Sequence, residues 1–536
     1  MEKTPLQRAR QKYSPALSDI FRELSSLEWA EELVGASISE KMRTLFPLTA
    51  GQPLLRGKKG SPRQGEILQV GVVFSGGQAA GGHNVITGLY DALKQMSKGS
   101  RLFGFLDGPS GIIKGKALEL TEEKLKDYRN QGGFDLIGSG RTKIETEEQL
   151  KASLEVVQKM SLDGLVIIGG DDSNTIAAVL AEYFKSKGSS TCVVGVPKTI
   201  DGDLKNPYVS ISFGFDTACK TYAELIGNIA RDATSAKKYT HFIKLMGRSA
   251  SHIALECALA TQPNLTLISE EIAHKRMTLA QITSQIADLI CQRAAKGKNY
   301  GVVLIPEGLI EFIPEIAQLI KELNQILAKD PEAKVDQVVS QLSTEANRCF
   351  SMLPEQIQKQ LLMHRDPHGN VQVSLIETER LLIETVSHEL EKRRRENSYQ
   401  GKFAAQPHFL GYEGRAGFPS NFDSTYCYAL GHAAALLVDQ RRSGYMCFIE
   451  GLSQPAVHWK LGGAPLVNLM HFEMRKGVEK PVIQKALVDL DGKPFGHFKQ
   501  HREQWALNDV YLFPGPIQFF GEAELSDSPP LSLKIE

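Results

Sequence analysis

From residue 67 onward, short apolar runs alternate with longer stretches in which apolar residues recur every three or four positions. Residues 68–74, 165–168, 193–196, 242–245 and 301–305 form the runs. Apolar runs of this length, bounded by turn residues, predict buried strands. Behind the first run, Val85, Ile86, Leu89, Tyr90 and Leu93 share one face of a helical pattern; behind the second, Ile176, Val179, Leu180 and Phe184 do the same. Strand and helix alternating at this spacing predict parallel α/β sheets, with ligand-binding groups at the carboxyl ends of the strands.

The flanks differ. Residues 1 to about 50 read as a helical, partly apolar extension, and residues 51–65, rich in Gly, Pro, Lys and Arg, as a linker. Residues from about 315 to 400 are long, charged and helix-periodic, which predicts a helical insertion or the helix-rich part of a second domain. The basic run Lys392, Arg393, Arg394 and Arg395 fits a solvated helix face better than a nucleic-acid patch.

Composition narrows the function classes. A chain of 536 residues exceeds one ordinary core, so two or more domains are expected. Lys+Arg and Asp+Glu are 62 each, so no global field favours nucleic acid or an anionic membrane, while a local basic site for a small anion stays open. The seven cysteines are scattered without C-x-x-C spacing, which argues against a disulfide framework or structural zinc and fits a reducing compartment. Residues 1–13 hold no apolar signal core, and no apolar run approaches a membrane span. The expectation is a cytoplasmic enzyme with neither nucleic-acid nor membrane partners.

The candidate chemistry sits just after the predicted strands. Gly76, Gly77, Gly81 and Gly82 would let backbone approach an anion before a helix N-terminus, although a tight strand–helix turn needs glycine too. Gly169-Gly170-Asp171-Asp172-Ser173 places two carboxylates and a hydroxyl at the mouth of a sheet, where a carboxylate holds Mg²⁺ or caps the next helix. Lys198-Thr199-Ile200-Asp201-Gly202-Asp203 concentrates an ammonium, a hydroxyl and two carboxylates. Phosphoryl transfer to an alcohol needs that combination, and an Asp-Gly-Asp turn is the plainer reading. Met246-Gly247-Arg248 offers a guanidinium for phosphate, Glu307 a carboxylate for sugar hydroxyls, and Tyr412-Glu413-Gly414-Arg415 a further phenol and guanidinium.

The ordered series SGGQAAGGHN, GGDDS, PKTIDGD, FGFDTA, MGRSASH, PEG and GYEGRAG resembles the phosphofructokinase family, in particular its long pyrophosphate-dependent branch, over roughly residues 66–460. The resemblance implies two Rossmann-like parallel-sheet domains, with an N-terminal extension and a helical insertion. It implies Mg-dependent, reversible phosphorylation of fructose 6-phosphate at its 1-hydroxyl by pyrophosphate. Gly76, Gly77, Arg141 and Ser173 would contact the donor, Asp171 would hold Mg²⁺, and Asp201 would accept the hydroxyl proton beside Asp203. Thr199, Ile200 and Asp201, Met246 to Arg248, Glu307, and Tyr412, Glu413, Gly414 and Arg415 would bind the sugar phosphate.

Asp172 and Lys198 stand where ATP-using members typically have glycine, which implies pyrophosphate as donor. The alternatives are an ATP-dependent 6-phosphofructokinase or a non-catalytic regulatory subunit of the same fold. The resemblance further implies a homodimer or larger homo-oligomer, with Lys238 and Tyr239 reaching across an interface. It places the donor domain at 66–215 plus about 420–465 and the sugar-phosphate domain at 216–419 with its insertion at about 315–405. Residues 1–65 form the extension and linker, and 466–536 a C-terminal segment.

Overall fold

The computed structural model describes the chain except at residues 1–2, 22, 34–37, 331–332, 334, 364, 366–369 and 476–477. Those parts of the N-terminal extension, the helical insertion and the C-terminal segment lie outside the described residues. Two compact units result. The first comprises Met1–Ala218, Glu413–Ala486 and Ile517–Leu533, the second Cys219–Tyr412, Leu487–Pro516 and Lys534–Glu536.

The first unit opens with β1 (Leu27–Glu32), β2 (Leu54–Lys59), β3 (Gln69–Phe74), β4 (Arg101–Phe105), β5 (Ala117–Leu120), β6 (Gly164–Gly169) and β7 (Cys192–Pro197). The second unit holds β8 (Thr240–Leu245), β9 (Leu265–Thr266), β10 (Gly301–Pro306) and β11 (Ala405–Leu410). The chain then returns to the first unit through β12 (Tyr445–Glu450), β13 (Lys460–Pro465) and the hairpin β14 (Met470–Arg475) and β15 (Val478–Ile483).

One nine-stranded sheet runs β1-β2-β13-β12-β7-β6-β3-β4-β5, parallel from β12 to β4 and antiparallel at both margins. Every residue of β6 and β7 is buried, which is why these strands read as unbroken apolar runs. The second unit carries a four-stranded parallel sheet, β11-β8-β10-β9. Between β10 and β11 the insertion is helical, with helices at Pro314–Lys329, Val335–Gln341, Thr344–Met352, Glu355–Met363 and Thr378–Arg395. Lys244, buried on β8, ties it down by donating to the Ile376 carbonyl at 2.9 Å and pairing with Glu379 at 3.2 Å. In the basic run Arg393 has partners of its own, Asp288 at 2.6 Å and Glu389 at 2.8 Å. No helix among the described residues is long and apolar enough to cross a membrane.

The extension departs from the sequence expectation. Helices form at Pro5–Gln11 and Glu40–Leu45, but β1 and β2 pair antiparallel, and β2 joins β13 through Arg56 opposite Gly462 and Leu55 opposite Gly463. The expected linker is therefore partly a strand. Its Gly and Lys content marks a sheet margin, where tertiary pairing and the burial of Leu54 and Leu55 override weak local preference. Arg10, fully buried, donates to Asn421 Oδ1 at 2.7 Å, the Pro419 carbonyl at 3.0 Å and Ser424 Oγ at 2.8 Å, so the extension is clasped to the first unit.

Helix Gly82–Met96 packs on helix Asn421–Asp439, which the chain reaches only after completing β11. Gly88 and Gly431 permit the crossing. A methyl group on Gly88 would overlap the Tyr428 carbonyl, and one on Gly431 the backbone of Val85 and Leu89. Rigid backbone lies on both sides, so Gly88→Ala is expected to destabilise the first unit by about 1–3 kcal/mol, the cost of overpacking. A lower denaturant midpoint, read by a probe in that unit, checks this.

Candidate functional site

The glycine turn follows β3. Gly76 adopts φ +89°, open to glycine at no steric cost; its N–H donates to the Gly140 carbonyl at 2.9 Å, and Ser139 Oγ donates to the Gly76 carbonyl at 2.6 Å. The turn lines a cavity of about 330 Å³ together with Arg141 and Arg415. Two guanidiniums line it, and the Lys198 ammonium lies beside the turn at Gly76. A Cβ on Gly77 would overlap the Arg415 guanidinium and stand 3.9 Å from that of Arg141, while one on Gly76 would lie 3.4 Å from Lys198 Nζ. Two guanidiniums and an ammonium around exposed backbone make an anion site.

The carboxylates flank it. β6 ends at Gly169, Gly170 is the N-cap of helix Asp171–Ser186, and it makes no side-chain capping bond. Asp171 and Asp172 are therefore the first residues of the helix rather than its cap, where carboxylates favour the positive end of the helix dipole. Asn174 Nδ2 secures the turn by donating to the carbonyls of Gly169 (2.7 Å) and Gly170 (2.9 Å). Asp172 faces Lys143 at 3.6 Å, and Asp171 faces Lys485 at 3.6 Å.

After β7 the backbone turns through Lys198, whose N–H donates to the Gly169 carbonyl at 2.9 Å and so ties the two strand ends together. The Asp201 N–H donates to Thr199 Oγ1 at 3.1 Å, and Asp203 lies 4.0 Å from Lys485. Burial, followed by Arg415, pushes the Lys198 ammonium down to about 8, against the pull of Asp201, Asp171 and Asp203. Burial, with the Asp201 carboxylate second, pushes the Asp203 carboxyl up to about 7, and Lys485 opposes the shift.

The second unit holds its own cluster. Met246, Gly247 and Arg248 follow β8, Glu307 follows the adjacent β10, and Glu307 Oε2 accepts the Gly247 N–H at 3.0 Å. The Met246 N–H donates to the Leu410 carbonyl at 2.9 Å, and Tyr222 donates to the Gly411 carbonyl at 2.5 Å, fixing the turn before the exposed Tyr412.

The expected residues thus fall into groups. Gly76, Gly77, Arg141, Lys198 and Arg415 gather at the glycine turn; Arg415, expected with the sugar-phosphate residues, lines the same cavity as Arg141. Asp171, Asp201 and Asp203 interact electrostatically with Lys198, and Thr199 and Ile200 shape that loop. Ser173, expected on the donor, donates to Ser75 Oγ at 2.8 Å inside the turn. Glu413 is exposed and Gly414 buried.

Lys238 and Tyr239 precede β8, at the opposite end of that strand from Met246 to Arg248, so one chain does not bring them together. Lys238 is exposed, its ammonium 5.0 Å from the Tyr239 ring. Lys143 and Lys485 were missed by the sequence reading. Lys143 stands only two places beyond Arg141, a proximity that could have flagged it; Lys485 carries no local signal.

The profile described as Phosphofructokinase matches residues 69–438. The pyrophosphate–fructose 6-phosphate 1-phosphotransferase of Treponema pallidum (strain Nichols) is 50% identical, over 99% of this chain and 96% of its own length. The beta subunit of that enzyme from Solanum tuberosum is 55% identical, over 90% of this chain and 85% of its own. The crystal structure of a pyrophosphate-dependent phosphofructokinase from Nitrosospira multiformis matches with a TM-score of 0.55 at 17% identity, covering 87% of this chain and 96% of that one, which is a likeness of fold. The chain belongs to the phosphofructokinase family.

Lys198 is charged below about pH 8 and neutral above it. Inorganic phosphate, titrated calorimetrically into the free protein, is therefore expected to bind more weakly as pH rises through that value. Lys198→Arg should flatten the dependence, because guanidinium keeps its charge.

Proposed function

We infer that the chain transfers a phosphoryl group from pyrophosphate to the 1-hydroxyl of fructose 6-phosphate, reversibly, giving fructose 1,6-bisphosphate and phosphate. The observation that carries this reading is Lys198 beside Gly76, with Asp172 on the adjacent strand end. A carboxylate at 172 repels and crowds the inner phosphate of a nucleotide, and a buried ammonium at 198 balances charge that the smaller donor does not spread. The names of the relatives that match nearly the whole chain support the same reaction.

Asp201 removes the proton of the 1-hydroxyl as the new P–O bond forms to the sugar oxygen. The bridging P–O bond of pyrophosphate breaks, and its electron pair leaves on phosphate. Lys198, Arg141 and the backbone at Gly76 and Gly77 hold the donor in line. Arg248 and Glu307 recognise the sugar phosphate, with Met246, Gly247 and Tyr412 shaping that end. Lys238 and Tyr239 serve a second copy of the chain, which fits their place at the far end of β8.

Enzymes of this family generally depend on Mg²⁺. Among the described residues no group of three His, Cys, Asp or Glu side chains is built to hold a metal, and Asp171 presents a partly exposed carboxylate. That donor set fits an ion held by one carboxylate and shared with substrate phosphates. Mg²⁺ at Asp171 would neutralise charge on the donor and the departing phosphate. A cytoplasmic setting fits seven free cysteines, five of them buried.

Asp201→Ser is expected to lower kcat by ~10²–10⁴-fold with a modest change in KM, the signature of a lost general base. An unchanged kcat would remove Asp201 from the mechanism. A coupled assay should show turnover with Mg–pyrophosphate and not with Mg–ATP. The double change Asp172→Gly with Lys198→Gly should damage the use of pyrophosphate.

A further inference from the structure

Lys485 belongs to none of the motifs that carry the family resemblance, and it lies beyond the region matched by the family profile. It follows β15, in a segment whose N–H groups make three hydrogen bonds. The Ile483 N–H donates to Thr175 Oγ1 at 3.0 Å, the Gln484 N–H to the Leu469 carbonyl at 3.0 Å, and the Ala486 N–H to the Asp203 carbonyl at 2.7 Å. Thr175 lies on the helix that begins at Asp171, and Asp203 on the loop that carries Asp201. The hairpin is thus fastened to both elements that present the site's carboxylates.

The ammonium it delivers stands 3.6 Å from Asp171 Oδ2 and 4.0 Å from Asp203 Oδ2, with a third of the side chain exposed. Asp171 and Asp203 are less exposed than the lysine, at 22% and 9% of their side chains, so in the free protein Lys485 offsets part of their charge while its own tip stays within reach of solvent. Lys198 interacts electrostatically with Asp171 and Asp203, the same two carboxylates that Lys485 faces, so both ammoniums serve one group of carboxylates. The lysine stem is long and its ammonium rotates, so the tip can pass from carboxylate to phosphate while the backbone stays fixed.

We propose that Lys485 is a donor-binding residue, whose ammonium rests on Asp171 and Asp203 in the free protein and binds a phosphate oxygen of pyrophosphate when the donor enters. The proposal rests on pyrophosphate being the donor. It gives the C-terminal hairpin a part in the site, as the arm that brings a further cation to the donor.

The test uses Lys485→Met and Lys485→Arg in the full chain. Binding of imidodiphosphate, the unreactive analogue of pyrophosphate, is measured by calorimetry at fixed Mg²⁺ beside steady-state constants. Lys485→Met is expected to weaken imidodiphosphate roughly tenfold to a hundredfold, the size of one charge-assisted hydrogen bond. KM for pyrophosphate should rise in parallel while KM for fructose 6-phosphate stays within about twofold, and Lys485→Arg should recover much of the loss. Imidodiphosphate affinity in Lys485→Met within about twofold of the unsubstituted protein would overturn the proposal. So would an equal loss in both variants, since that reports a disturbed hairpin rather than a missing charge. If the unsubstituted protein itself fails to bind imidodiphosphate, the donor assignment falls and this proposal with it.

Discussion

Like charges crowded into a desolvated place govern this protein. Asp171, Asp201 and Asp203 are brought by two adjacent strands, β6 and β7, to one edge of a sheet, where burial and the neighbouring Asp201 carboxylate both oppose ionisation of Asp203. Such a cluster persists when cations are fixed among its members and the backbone around it is tied down. Lys198 supplies one cation from the end of β7 itself, and Lys485 supplies another from far along the chain. The bond from Lys198 N–H to the Gly169 carbonyl, the amide of Asn174 and the Ser173–Ser75 pair provide the backbone restraint. Backbone held in this way keeps the carboxylates and Lys198 in place as a substrate arrives, which is what electrostatic stabilisation of a transferring phosphoryl group requires.

Much of this was legible because parallel strands announce themselves. An unbroken apolar run that ends in Gly or Pro and then a charged side chain marks both the strand and the edge at which its chemistry lies. Asp171, Lys198, Arg248 and Glu307 all sit where that rule puts them. The rule says nothing about contacts between distant segments. Lys485 joins Asp171 because a hairpin packs on the helix that begins there, and no pattern near residue 485 records that packing. Ser173 reads as a hydroxyl at the mouth of the sheet, yet its partner Ser75 lies on a different turn. The strands β1 and β2 were hidden for a related reason. Glycine and lysine at a sheet margin look like a linker until β13 is present to pair with them.

The second unit also shows how one strand can present different chemistry at its two ends. The carboxyl end of β8 leads to Gly247, held by the Glu307 carboxylate from β10, while its amino end carries Lys238 and Tyr239. Residues so separated cannot serve one ligand within a single chain, although both were drawn from the same short stretch of sequence.

The strand order of the large sheet has a consequence for how the protein is made. β12 and β13 occupy the positions between β2 and β7, and the helix that packs against Gly88 leads into β12. On the ribosome, at ~5–20 residues per second, the first seven strands emerge long before the two that join them. For tens of seconds the apolar edge of β7 and the groove at Gly88 stand open, while the largest segment of the second unit, Cys219–Tyr412, is synthesised between them. The nascent chain thus carries an unfinished sheet through most of its own translation, and that interval is when it is most exposed to mispairing.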